Sequence, residues 1–170
     1  MSRSTNKIGH AIVLLTVAVL TLALDQLSKR WIVSNLLPNQ SLFEDAPVRI
    51  TYVTNTGTAF GLFQGSSYVF VLIALAVIVL ILLYFHVLAS DSVLFRIALG
   101  LQLGGAVGNL VDRVRYGHVV DFIDLRFWPV FNIADSAIVV GVILLGYLML
   151  FNPGQPQPVP TTGADEQSGR

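Results

Sequence analysis

The sequence contains no cysteine. That excludes a disulfide, a thiolate nucleophile and a lipidated cysteine of its own, and it leaves the redox compartment unread. Charge is scarce as well. Only 12% of residues are charged, against about 25% in an average soluble domain. Ten basic and ten acidic residues cancel, so nothing points to the basic face that nucleic-acid binding needs. No H-E-x-x-H run occurs, and His118 with Asp121 and Asp124 is too thin a ligand set, so neither a metal nor another cofactor is expected.

What is abundant is hydrocarbon. The chain is 54% hydrophobic and its mean hydropathy is +0.72, the composition of an integral membrane protein. Four spans are expected, at about 8–28, 68–89, 93–111 and 131–151, within a single membrane domain covering 1–151. The run between Lys7 and Asp25 falls a little short of the roughly 20 residues a crossing needs, so the first helix should continue past Asp25. Residues 1–7 read as a short polar tail. Arg3 and Lys7 ahead of an apolar core imitate a signal peptide, but no small-x-small site follows, so the first span is expected to stay as a signal anchor. The second span is uncharged, and His86 near its end reads as an interfacial histidine. The short link near Ser90–Ser92 makes spans two and three antiparallel neighbours. Residues 152–170, with four prolines among Gly, Gln and Thr, read as a disordered tail.

Two connections, 36–66 and 114–130, carry the remaining structure. Turn residues such as Pro38, Asn39 and Pro47 precede Arg49–Thr54, an alternating β-branched run that reads as a strand. The run NTGTAF follows, where Gly57 allows a tight turn and Asn55 offers both a donor and an acceptor. Leu62 and Phe63 are apolar enough to dip into the interface. In 114–130, strand alternation puts His118, Val120, Phe122 and Asp124 on one face and Val119, Asp121, Ile123 and Leu125 on the other. Asp121 then points with an apolar set and needs a partner or a raised pKa. Together the two connections form a small β-rich cap at the membrane surface.

Residues 104–136 hold four of the ten acidic residues, namely Asp112, Asp121, Asp124 and Asp135. Charge near lipid is expensive, so its concentration in one stretch marks a functional site. Asp25, Ser28 and Lys29 are spaced to share a helix face. Gly104 and Gly108 allow a close helix approach, and Asn109, Asp112 and Arg113 share a face that must look inward. Pro129 and Asn132 signal the start of the last helix, with Asp135 in its first turn, where the helix dipole favours a carboxylate.

Asp121 and Asp135 are joined by a link short enough to fold back from strand to helix, which brings both to one membrane face at the lipid–water boundary. Two carboxylates within about 3 Å cannot both ionise, so they share a proton. The ionised one is a general base for water, and the protonated one polarises a carbonyl. That is aspartic-protease chemistry, and it requires neither cysteine nor metal. Asn55, Asn109, Arg113 and Asn132 are the donors available to orient the pair. Arg113 is expected to hold a buried carboxylate. A Ser–Lys pair of Ser28 and Lys29 fails, because adjacent helix residues do not face each other. The competing class is a proton-relay transporter or channel subunit; against it, the acids lie near span ends and not at the midplane.

The runs DQLSK (Asp25–Lys29), NTGTAF (Asn55–Phe60), GGAVGNLVDR (Gly104–Arg113), VVDF (Val119–Phe122) and FNIADS (Phe131–Ser136) occur in this order. Over roughly 8–151 they resemble the successive motif blocks of the bacterial signal peptidase II family, the lipoprotein signal peptidases. Any one block is weak; the five together are specific. The resemblance implies a mainly α membrane fold of four transmembrane helices with a small extracytoplasmic β-cradle. It implies an intramembrane aspartyl endopeptidase that cuts diacylglyceryl-modified prolipoproteins just before the lipidated cysteine. Asp121 and Asp135 match the catalytic pair. Asp25, Asn55, Asn109, Arg113, Asn132 and Ala134 match supporting or substrate-binding positions, and Lys29, Gly57 and Asp112 in the same blocks are expected to support the site. The enzyme would be a monomer in contact with membrane lipid in the bacterial inner membrane, with both termini cytoplasmic and the active site near the periplasmic face. The bare charge count opposes that orientation, because four basic residues lie on the side of the termini and six on the other.

Overall fold

A computed structural model of the chain describes residues 2–57, 67–88 and 92–151. It contains four helices: α1 (Ser2–Asn35), α2 (Ser67–Leu88), α3 (Val93–Tyr116) and α4 (Ile133–Phe151). Three strands complete it: β1 (Ser41–Leu42), β2 (Arg49–Asn55) and β3 (Val119–Asp124). All four helices are long and apolar enough to cross a membrane. The expected tail at 152–170, the part of NTGTAF beyond Gly57, Leu62 and Phe63, the link at 89–91 and the side chain of His86 lie outside the described residues.

Three helix limits differ from the hydropathy reading. The first helix begins at Ser2, so most of the expected polar tail is helical. It ends at Asn35 instead of near 28, and α3 ends at Tyr116 instead of near 111. Hydropathy drops where Lys29, Asp112 and Arg113 appear, but the helices continue because each supplies the other's buried partners. Gly117, at φ 75°, then stops α3 by donating its N–H to the Arg113 carbonyl.

The central element is α3. Of its apolar window 61% is buried, against 6% for α2, whose large side chains instead face outward as they would toward lipid. Small residues let the neighbouring backbones close in. A Cβ at Gly104 would stand 2.5 Å from the Ala18 carbonyl oxygen of α1, and one at Gly105 would stand 2.5 Å from the Ala134 carbonyl oxygen of α4. Leu14, Ala18, Ile81, Phe95, Leu99 and Leu103 form the core between these helices.

The sheet is antiparallel in the order β1-β2-β3. Val120 and Phe122 of β3 pack with Tyr52 of β2, with Ile32 in the last turn of α1 and with Leu36 just beyond it. The apolar core therefore lies on the Val120 side of the strand, opposite Asp121. Asp121 shares the other face with Val119 and Ile123, as the alternation predicts, and β3 is buried on both sides. After β3 the chain folds back. The N–H groups of Phe122 and Ile123 reach the Phe131 carbonyl, and Phe131 N–H returns to the Ile123 carbonyl. This closure delivers the start of α4 to the side of β3.

Candidate active site

Asp121 is 1% exposed, on the face of β3 away from Val120 and Phe122. Its Oδ1 accepts from Asn132 Nδ2 at 2.7 Å and its Oδ2 from Asn55 Nδ2 at 2.8 Å. The Asn55 amide is itself oriented, because its Oδ1 accepts the Gly57 N–H at 2.8 Å. That turn requires φ 83° at Gly57, a conformation that favours glycine. Asp135 sits half-buried in the first turn of α4. Its Oδ1 accepts from Asn109 Nδ2 at 2.7 Å. Asn132 caps the helix: its Oδ1 accepts the Asp135 N–H at 2.9 Å, and its own N–H reaches back to Asp135 Oδ2 at 3.3 Å. The exchange is a capping box built from Asn and Asp. Asn132 Nδ2 also lies 3.2 Å from Asn109 Oδ1. The two carboxylates are thus linked through a pair of amides, Asn132 and Asn109.

Beneath this layer lies Lys29, 3% exposed. Its Nζ meets Asp25 at 2.9 Å, Asp112 at 2.8 Å and Asn109 Oδ1 at 3.0 Å. Asp25 Oδ1 accepts the Ala134 N–H at 2.9 Å, an otherwise orphaned donor of α4. Asp112 Oδ2 accepts the Val120 N–H at 3.1 Å, which ties α3 to β3. Gln26 Nε2 bridges Asp112 Oδ1, Asp25 Oδ2 and the Gly108 carbonyl. Sequence reasoning missed Gln26; it stands off the Asp25/Lys29 spacing, and its partners lie 82 and 86 residues away. Ser28 turns to the Asp25 carbonyl on its own helix and stays outside the network.

Arg113 differs from its expected role. The buried ion pairs belong to Lys29. The Arg113 guanidinium bonds the Asn109 carbonyl at 3.3 Å and lies over the Phe70 ring of α2, 5.4 Å from its centre.

Among the described residues, Asp25, Asp112 and Asp124 form ion pairs and Asp121 and Asp135 form none. The electrostatics of β3 follow from this. Burial pushes Asp121 up to about 6; the Asn55 bond opposes it, the nearby Asp135 charge adds to it, and Asn132 and Lys29 oppose it. Asp124, on the same strand, is held below the ordinary carboxylate range by the Arg126 backbone N–H, with help from Thr51 and Arg49. Among the described residues no group of three His, Cys, Asp or Glu is placed to hold a metal ion.

Residues 17–151 match the family model for signal peptidase (SPase) II. The chain is 50% identical over 146 residues to the lipoprotein signal peptidase of Moorella thermoacetica, covering 83% of this chain and 95% of that protein. It is 42% identical over 144 residues to the lipoprotein signal peptidase of Bacillus subtilis, with 82% and 94% covered. Two solved bacterial membrane-enzyme structures superpose with TM-scores of 0.75, at 32% and 34% identity. They cover 86% and 82% of this chain and 93% of their own.

Proposed function

The chain belongs to the signal peptidase II family, and from that premise we propose that it removes signal peptides from prolipoproteins with Asp121 and Asp135 as its catalytic pair. The observation that carries the assignment is the division among the aspartates. Three form ion pairs with lysine or arginine; among the described residues these two accept hydrogen bonds from uncharged amides and the backbone N–H of Asn132, with the Arg113 charge near both but in no ion pair. A carboxylate held by amides, free of a direct ion pair, keeps a proton affinity that chemistry can use.

Asp121, the more buried of the two, holds the shared proton and donates it in a hydrogen bond to the scissile carbonyl oxygen. Ionised Asp135 takes a proton from water, whose oxygen attacks the carbonyl carbon. The resulting tetrahedral centre collapses as the C–N bond breaks. The nitrogen leaves with the proton held by Asp135, and the proton lent by Asp121 returns to it. Asn109 and Asn132 keep the two carboxylates in register, and the Lys29 layer keeps Asn109 in place.

The substrate is a prolipoprotein with diacylglycerol on its cysteine, cut on the N-terminal side of that residue. Both aspartates lie where the helices meet the sheet, so the lipid can stay in the bilayer while the peptide enters. The enzyme works as a monomer in the bacterial inner membrane, with both termini cytoplasmic and the site near the periplasmic face. The proton-relay reading finds no support in this family.

The test is cleavage of a purified diacylglyceryl-prolipoprotein in detergent by wild type, Asp121→Asn and Asp135→Asn, with and without chelator. Chelator-insensitive cleavage by wild type alone is expected. Normal cleavage by either variant overturns the pair, and loss of wild-type cleavage with chelator overturns the mechanism.

A further inference from the structure

A groove of about 710 Å³ opens between α1 and α3 on a face that neither Asp121 nor Asp135 lines. From α1 it is walled by Ala23, Leu27 and Arg30, spaced as one helix face, and from α3 by Asp112, Arg115 and Tyr116, spaced the same way. The two ends differ. Ala23 and Leu27 lie deeper in the span. Arg30 lies roughly 10 Å further along the axis at 1.5 Å per residue, toward the end where Arg115 and Tyr116 close α3.

Charge decides what fits. Asp112 is consumed by Lys29 and Gln26. Arg30 and Arg115 are exposed, and among the described residues neither has an acidic partner. The groove therefore offers hydrocarbon at one end and two uncompensated guanidiniums at the other, at the depth of lipid headgroups. An uncharged diacylglycerol gains nothing from two arginines. A phosphodiester does, since guanidinium binds phosphate in a bidentate fork. Tyr116, 53% exposed, has the amphipathic ring suited to the same boundary.

We propose that this groove is a binding site for one anionic phospholipid of the surrounding membrane, with its phosphodiester between Arg30 and Arg115 and an acyl chain along Ala23 and Leu27. The site includes neither Asp121 nor Asp135, although Gln26, Lys29 and Asp112 of the layer beneath them form part of its wall, and it requires only that the chain span a membrane.

The test places the full chain in nanodiscs of phosphatidylcholine with a minor fraction of phosphatidylglycerol, then counts retained lipid by native mass spectrometry. Wild type is expected to keep one phosphatidylglycerol, and the Arg30→Gln/Arg115→Gln double variant to keep at least about ten-fold less. Leu27→Trp, which fills the apolar end and leaves both arginines, is expected to lose retention too; this separates a built site from diffuse surface charge. Both variants are compared at equal helicity by circular dichroism. Equal retention of phosphatidylcholine by wild type, unchanged retention in either variant, or displacement by neutral diacylglycerol overturns the proposal. So does stabilisation by inorganic phosphate with no lipid retained.

Discussion

Two carboxylate environments share one end of the helix bundle, and they differ in what holds them. The lower one, Asp25 and Asp112 around Lys29, is closed by opposite charge and fastened to the backbone N–H groups of Ala134 and Val120. The upper one, Asp121 and Asp135, is closed by the amides of Asn55, Asn109 and Asn132. Ion pairs fasten a carboxylate as architecture. Amides orient it and leave it free of a direct cation. Asn109 joins the two layers, accepting from Lys29 and donating to Asp135.

The comparison breaks most completely if the upper layer tolerates substitution. Asp121→Asn and Asp135→Asn are each expected to lower kcat by at least about 10³-fold while the protein still accumulates in membranes. Residual cleavage near wild type would erase the distinction. The lower layer should fail in the opposite way. Lys29→Met leaves two buried carboxylates without a cation, a change expected to cost about 3–5 kcal/mol, read as a large fall in melting temperature or as loss of the protein. A stable Lys29→Met enzyme would show that the lower layer is dispensable.

Proton linkage sharpens the contrast within one strand. The folded value of Asp121 lies above its ordinary 3.8, at about 6. Its contribution to stability is therefore greatest below 3.8 and is lost as pH rises toward 6. Asp124 is shifted down, so its contribution is present above 3.8 and is lost as pH falls through its lower folded value. Melting temperature is expected to fall between pH 4 and 6 in a way that Asp121→Asn flattens. In the free enzyme kcat/KM should decline above about pH 6 as Asp121 loses its proton. Asn55→Ala removes a bond that favours the ionised form, so the alkaline limb should move up by roughly one pH unit. An unmoved limb would detach Asn55 from Asp121. The smallest effect belongs to Arg49→Ala, at the part-exposed pair with Asp124: under about 1 kcal/mol and little change in cleavage.

The sequence made some of this legible and hid the rest for a physical reason. Spans, the strand at Arg49 and the oddity of Asp121 follow from hydropathy, alternation and the cost of burying charge, all local statements. The role of Lys29 as common partner of Asp25 and Asp112 is not local: Asp112 belongs to another helix, and Asn109 lies 80 residues away. Arg113 is expected to hold a buried carboxylate, yet its guanidinium bonds the Asn109 carbonyl and lies over Phe70. The same pairing hid the true ends of α1 and α3, since polar residues read as helix exits unless their partners are known.

The bond between Asp25 and Lys29 spans one turn of a single helix. It needs no residue outside α1, so it can form before α3 has been synthesised. Asp25 and Lys29 can then enter the bilayer as a neutral pair, with a favoured i,i+4 order of acid before base. Only when α3 follows does Asp112 draw the same lysine into a shared arrangement. One ion pair thus serves twice in the life of the chain, first as a passport into lipid and then as the anchor on which the later helix docks.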